Sequence, residues 1–306
     1  MLISVSRRTD IAAFYTPWLL NRLQAGEVLV PRVHQPGVWE WVDLSVQAVD
    51  ALVIISKNPR PLLPHLEELR QRGYRIAVQM TITGYGPSWE KNVPPLQESL
   101  AVFRKLSQVL GPEWVDWRYD PILLDRGISL QWHRQQFETL CQALSGATTR
   151  CIISFADAYP HLGGLIQLLE EETMRVLAQM LGAIAASYQL TVTSCAERLD
   201  FSQQGIKPGA CVDGERLSQL LGWQLPLAKA SGQRAACRCA ESVDIGSYDT
   251  CLHGCRYCYA TTSTALAHQR HALHDPASPL LWGWPTGREQ IVKRPSLAAT
   301  RQLKLF

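Results

Sequence analysis

The most specific chemistry in this 306-residue chain lies in three cysteines near its C-terminus, Cys251, Cys255 and Cys258, in the run CLHGCRYCYA. Their spacing is C-x-x-x-C-x-x-C. Three thiolates so spaced can ligate three irons of a cubane iron–sulfur cluster and leave the fourth iron without a protein ligand. Clusters that only carry electrons ordinarily take four cysteines, so an open iron points to direct binding of a small molecule. The same thiols with His253 would also suit a tetrahedral zinc ion. A second group is Cys237 and Cys239, in ACRCAES, which gains weight beside Cys195 and Cys211. Four cysteines can hold a second, fully ligated 4Fe-4S cluster or a zinc ion. Their bland reading is as buried thiols acting as small hydrophobes. Cys141, on a predicted helix, and Cys151, at a strand start, read as core.

Such groups need a frame. Six short runs rich in branched residues recur through the first two thirds: LISVS (2–6), ALVIIS (51–56), RIAVQMTIT (75–83), WVDWRY (114–119), CIISFA (151–156) and QLTVTSC (189–195). Helix-favouring stretches separate them, at 61–73, 95–111 and 129–144. In the second, Leu96, Leu100, Phe103, Leu106 and Leu110 make a helical stripe, and Gly73 and Gly111 stand where C-caps are expected. Strand–helix alternation predicts a parallel sheet, here a partial (β/α)6 barrel over 1–200. Segments 28–33 and 38–44, flanking HQPG, read as an inserted hairpin. A cysteine-rich, cluster-binding loop region follows over 201–260. An irregular tail packed on the barrel fills 261–306.

In parallel barrels, chemistry gathers where the strands end. SRRTD, SKNP, TITGYG, RYDPI, FADAY and CAE each follow a predicted strand and should face one mouth. Asp10, Tyr85, Arg118 and Asp120 are the candidate catalytic residues, and Tyr85 or Tyr119 can donate a proton or hydrogen atom. Arg7, Arg8, Lys57, Glu197 and Tyr257 are the candidate cofactor-binding residues. An arginine there can clamp a carboxylate or phosphate with two parallel hydrogen bonds. Asn58, Thr83 and Asp157 share the same ends. The bland reading is helix capping, for which Asp10 and Asp157 are good N-cap residues.

The run GCRYCYA, with Tyr257 before the last cysteine, resembles the cluster loop of radical S-adenosylmethionine (SAM) enzymes, spore photoproduct lyase and its relatives in particular. That resemblance implies a 4Fe-4S cluster and S-adenosyl-L-methionine chelated on the open iron. It also implies one-electron cleavage of the sulfonium to a deoxyadenosyl radical, an external electron donor and a partial barrel. Two features depart from it. The loop follows the last predicted strand instead of the first, so it would have to cross the mouth, and no Gly-Gly-Glu run follows the second strand. Longer matches, SRRTDI, TITGYG, WRYDPI and DIGSYDTCLHGCRYCYA, resemble the bacterial family called domain of unknown function 1848, a name that supplies no reaction.

Hydrophobic content of 46% and charged content of 19% describe a globular protein, and a net charge of +3 neither demands nor excludes nucleic acid. No apolar run is long enough to span a membrane. Nine cysteines, five of them within 237–258, argue against a secreted disulfide framework and for a reducing cytoplasm. The last five residues, QLKLF, resemble the peptide with which bacterial DNA enzymes dock on the sliding clamp. The alternative is that Leu303, Leu305 and Phe306 fold back onto the barrel. The leading reading is a radical SAM-type iron–sulfur enzyme acting on a small-molecule or nucleic-acid substrate. Its rivals are a metal-stapled, DNA-associated binding module without turnover and an iron–sulfur electron carrier.

Overall fold

Strand-forming runs and amphipathic stripes alternate along the chain, and they build one large parallel sheet with helices packed on it. A computed structural model describes residues 1–226 and 228–295. In chain order the strands are β1 (Leu2–Val5), β2 (Glu27–Pro31), β3 (Val38–Asp43), β4 (Ala51–Ser56), β5 (Ile76–Thr81), β6 (Val115–Ile122), β7 (Arg150–Phe155), β8 (Thr191–Cys195), β9 (Lys207–Gly209), β10 (Val243–Asp244) and β11 (Gln290–Lys293). The helices are α1 (Ile11–Phe14), α2 (Thr16–Ala25), α3 (Leu66–Gln71), α4 (Leu96–Leu110), α5 (Leu130–Leu144), α6 (Glu171–Ser187), α7 (Gly214–Leu221) and α8 (Thr264–Ala272).

The main sheet has eight strands in the order β10-β1-β4-β5-β6-β7-β8-β9, all pairs parallel. Its six central strands are the six runs read from the sequence. β1 and β7 are buried at every position, as strands covered on both faces are, which is why they read as largely apolar runs instead of alternating ones. Leu2 of β1, Val53 of β4, Ile152 of β7 and Cys195 of β8 share one buried cluster. A larger cluster lies under the helices, where α4 buries Leu100, Phe103, Leu106 and Leu110. Gly111 ends α4 at φ +94°, and Gly73 follows α3 at φ +101°. Both conformations suit a residue without a Cβ.

Three expectations change. First, two short strands extend the sheet at its ends, β9 beside β8 and β10 beside β1. The stretch 201–260 therefore supplies strands and helix α7 as well as loops. Strands of two and three residues carry too little periodicity to be read from sequence. Second, the segment expected to be irregular contains α8 and β11, and β11 adds in parallel to the β2–β3 hairpin, pairing Gln290 to Lys293 with Val38 to Trp41. Third, the cysteine loop does not have to cross the strand ends from a far edge. It leaves β10, which pairs Ile3 with Val243 and Ser4 with Asp244. The segment QLKLF lies outside the described residues. No helix among the described residues is long and apolar enough to cross a membrane.

Candidate active site

The strand ends meet in one cavity of about 420 Å³. All six predicted segments contribute to its wall, from Ser6–Asp10 after β1 to Cys195 and Ala196 after β8. The opposite wall is the cysteine loop, with Cys251, Cys255 and Cys258 all facing in beside His253, Tyr257 and Tyr259. Cys211 and Cys237 line a third part.

Backbone ties hold the cysteine loop to the segment after β5. Glu90 and Cys255 form an antiparallel bridge. Arg256 N–H donates to Trp89 O at 2.9 Å, Asn92 N–H to His253 O at 2.9 Å, and Asn92 Nδ2 to Leu252 O at 2.7 Å. Gly254 makes the turn at φ +67°, a conformation open to glycine at little cost. A loop so anchored presents its thiols in a preset arrangement.

Three carboxylates, two of them absent from the predicted set, tie this loop to the strands. Asp10 accepts from Ala13 N–H at 3.0 Å, Ser56 Oγ at 2.7 Å, Lys57 N–H at 2.7 Å and His253 Nε2 at 2.7 Å. Burial works to raise its pKa, yet His253 and these donors hold it below the usual range. Asp10 is thus the N-cap of α1 and the clamp on His253, a positioning group with no acceptor site left for proton transfer. The other His253 nitrogen faces Asn92 O at 3.4 Å. With both nitrogens so engaged, His253 is not set to be the fourth zinc ligand considered from sequence.

Glu90 is the second carboxylate. Lys57 Nζ at 2.8 Å, Thr83 Oγ1 at 2.8 Å and the Tyr257 hydroxyl all donate to its Oε1. Asp244, at the end of β10, is the third. It accepts from Ser4 Oγ at 3.2 Å, Arg7 N–H at 2.8 Å, Arg7 Nε at 3.3 Å, Gly246 N–H at 3.0 Å and the Ser6 hydroxyl. The rule that polar residues after strands face the mouth would have found Asp244 had VD been legible as a strand. Glu90 lies nine residues past the end of β5, beyond the reach of that rule.

Of the predicted catalytic set, Arg118 and Asp120 line the cavity and pair with each other, with Gln79 Oε1 accepting from Arg118 at 2.9 Å and Ser154 donating to Asp120. The β6–β7 ladder shifts register between Tyr119 and Ile122, at Asp120 and Pro121. Tyr85 does not line the cavity. Its hydroxyl donates to Pro121 O at 2.7 Å and accepts from Leu123 N–H at 3.2 Å, and burial pushes its pKa well up. Tyr119 is spent on His133 Nδ1, 2.6 Å away. Both tyrosines are structural. Asp157 caps no helix; it pairs with Arg234 and accepts from Tyr159 at 3.1 Å.

Of the predicted cofactor-binding set, Arg7, Arg8, Lys57 and Tyr257 line the cavity. Glu197 stands beside it, accepting from Phe155 N–H at 2.8 Å; burial first, then Asp157 and Asp120, pushes its carboxyl up to about 7. Asn58 and Thr83 also lie outside the cavity wall. Five cations border the cavity. Lys57, Arg118, Arg234 and Arg7 pair with Glu90, Asp120, Asp157 and Asp244. Arg8 makes no ion pair among the described residues; it lies 5.3 Å over the Tyr248 ring and reaches Gly246 O at 3.4 Å.

A family model described as domain of unknown function (DUF1848) matches residues 2–260. The chain belongs to the DUF1848 family. The matched region takes in all seven cysteines discussed as ligands and every residue of the three carboxylate hubs. None of the curated proteins matches this DUF1848 chain. Among solved structures it is similar to a provisionally assigned alpha-L-fucosidase from Bacteroides thetaiotaomicron, at 8% identity and a TM-score of 0.33, over 70% of this chain and 61% of that one.

The thiols differ by surroundings. Burial, then Asp10 and the neighbouring thiols, pushes Cys251 well up. Burial carries Cys255 to about 12, with Lys57 working the other way. Cys211 is held well below the usual thiol range by contacts from Cys195 and Cys239 and by Arg118 and Arg7. Contact with Cys239 lowers Cys237 to about 6. Cys141 and Cys151 are buried away from the cavity. Among the described residues, no three His, Cys, Asp or Glu side chains stand gathered around a point in metal-holding geometry. The donor set of the loop nonetheless suits an iron–sulfur cluster. It offers three thiols on one wall, and soft thiolates are the ligands such clusters take.

Proposed function

We propose that this chain is a radical SAM-type iron–sulfur enzyme on a partial α/β barrel. Cys251, Cys255 and Cys258 would hold the cluster, and the 420 Å³ cavity would hold SAM and substrate. One observation carries the reading: all three thiols of the C-x-x-x-C-x-x-C run line one cavity with the ends of six parallel strands. Such a cluster, held by these three thiols, would supply the electron for reductive cleavage of a sulfonium.

The chain's own residues divide the remaining work. Glu90 and Asp10, through Lys57, Tyr257 and His253, fix the loop that carries the thiols. Lys57 beside Cys255 favours its thiolate, as ligation requires. Arg8, without a carboxylate partner among the described residues, is the group that receives an anion, whether a carboxylate of SAM or a phosphate or carboxylate of the substrate. Glu197, near 7 and next to the cavity, holds or releases a proton at neutral pH.

The test is anaerobic reconstitution with iron and sulfide, reduction with dithionite and addition of SAM. The expected result is a brown protein that slowly releases 5′-deoxyadenosine, with the reduced cluster's paramagnetic resonance perturbed by SAM. Cys255→Ala should lose the cluster absorption, since two thiols cannot hold three irons. Full iron content in that variant refutes the ligand assignment. A brown wild-type protein indifferent to SAM refutes the SAM chemistry.

A further inference from the structure

The cavity has a second set of thiols, away from the cysteine loop. Cys195 ends β8, Cys211 follows β9 by two residues, and Cys237 and Cys239 precede β10. Cys211 Sγ lies 3.1 Å from Cys239 Sγ. Cys195 contacts Cys211, and Cys237 contacts Cys239. The four sulfurs thus form one unbroken chain of contacts, all buried. We propose that Cys195, Cys211, Cys237 and Cys239 form a tetrathiolate site for a single zinc-type divalent ion, which staples the β9 end of the sheet to the β10 end.

Spacing decides the kind of metal. As they stand, the thiols touch each other instead of opening around a centre. A tetrahedral ion with zinc–sulfur bonds of about 2.3 Å separates its sulfurs by about 3.8 Å. Cys211 and Cys239 need to part by less than about 1 Å to reach that. A cubane binds each sulfur to a different iron and needs all four much farther apart. With all four cysteines bound as thiolates, the filled site carries two net negative charges. Two guanidinium groups stand ready for them. Arg7 and Arg118 line the same cavity as Cys195, Cys211 and Cys237, within range of their charge. Arg7 Nη1 is buried without a hydrogen-bond partner, and a metal-bound thiolate is the acceptor it lacks.

The fold gives the ion a task. β9 has three residues and β10 two, and they are the opposite end strands of the sheet. Short end strands contribute few ladder bonds. Ala240 N–H donating to Val212 O at 2.9 Å is a backbone tie between the two segments. An ion with ligands from both would hold the ends together and fix the cavity wall that carries Arg7 and Arg118.

The test uses the full chain, purified anaerobically under reducing conditions and exposed to Zn²⁺, or to Co²⁺ as a spectroscopic substitute. About one zinc per chain should bind besides any iron, with X-ray absorption showing four sulfur neighbours at about 2.3 Å. Co²⁺ should give the intense ligand-field bands of tetrahedral thiolate. Chelation should lower the melting temperature, and Zn²⁺ should restore it. Cys237→Ser with Cys239→Ser should lose the zinc while Cys255→Ala keeps it, which separates this site from the loop's. The wild-type absorption measurement needs no variant, so a misfolded variant does not rescue the idea. Failure of reduced wild-type protein to bind Zn²⁺, mixed nitrogen or oxygen ligation, a Cys211–Cys239 disulfide in reduced protein, or iron in place of zinc at about eight per chain would each overturn it.

Discussion

Replacing Glu90 with glutamine tests whether the cysteine loop hangs on a buried charge pair. Glu90 and Lys57 side chains are only 4% and 14% exposed, and Lys57 Nζ is 2.8 Å from the carboxylate. Glutamine keeps the size and one carbonyl acceptor for Thr83 and Tyr257. What it removes is the negative charge facing Lys57. Breaking a buried pair by neutralising one partner costs about 3–5 kcal/mol, because the other charge is left uncompensated. At about 2–4 °C per kcal/mol for large domains, the melting temperature should fall by roughly 6–20 °C. A double-mutant cycle gives the assay: urea unfolding of Glu90→Gln, Lys57→Met and the pair together. The double variant should be markedly more stable than the sum of the singles predicts, since it strands no charge. The pH dependence has a definite sign. Burial alone would raise the Glu90 pKa, but Lys57, by charge and hydrogen bond, together with Tyr257 and Thr83, holds it below its ordinary 4.5. The pair's stabilisation is therefore complete above pH 4.5 and is lost as pH falls through the lower, folded-state value. The deficit of the variant should shrink in acid. A deficit under about 1 kcal/mol, the range of exposed pairs, or strictly additive effects in the cycle, would refute the reasoning.

Two further outcomes follow from the same geometry. Gly246→Ala places a Cβ that overlaps Ser6 Oγ and stands 2.6 Å from Ser6 Cβ, so it must push apart the group around Asp244; a loss of about 1–3 kcal/mol in urea unfolding is expected, and wild-type stability would mean that β10 is not packed on Ser6. Glu197 has its folded pKa raised to about 7 from 4.5, so its stabilising share is present below pH 4.5 and is lost as pH rises through 7. Glu197→Gln should consequently gain in melting temperature relative to wild type between about pH 5 and about pH 8, and a constant difference across that range would show that the carboxyl titrates normally.

The six central strands were legible because strands buried on both faces are rich in branched apolar residues, and such runs stand out between amphipathic helices. The convergence of six strand ends on one cavity followed from parallel topology alone. What sequence did not yield has three physical causes. β9 and β10 are too short to have a period. Glu90, which anchors Lys57 and Tyr257, is a lone carboxylate in a loop, and nothing local marks it as buried. Tyr85 and Tyr119 were in the right segments but point their hydroxyls to Pro121 O and His133; which way a side chain turns at a strand end depends on packing from elements distant in sequence.

The position of the cysteine loop shows how such a distant contact resolves a conflict. The radical SAM resemblance leads one to expect the cysteine run after the first strand, and here it follows β10. A loop crossing the strand ends would be long and costly to order. The pairing of β10 with β1 removes that need. Asp244 sits opposite Ser4, and its carboxylate is filled by Ser4, Ser6 and Arg7 from the end of β1. The chain leaving β10 therefore starts beside the chain leaving β1. From there, Asp10 and Glu90 capture His253 and Tyr257 within the cysteine run. The carboxylate at the end of β10, more than the cysteine spacing, explains how a loop late in the chain comes to face the strand ends at the same place as a loop early in it.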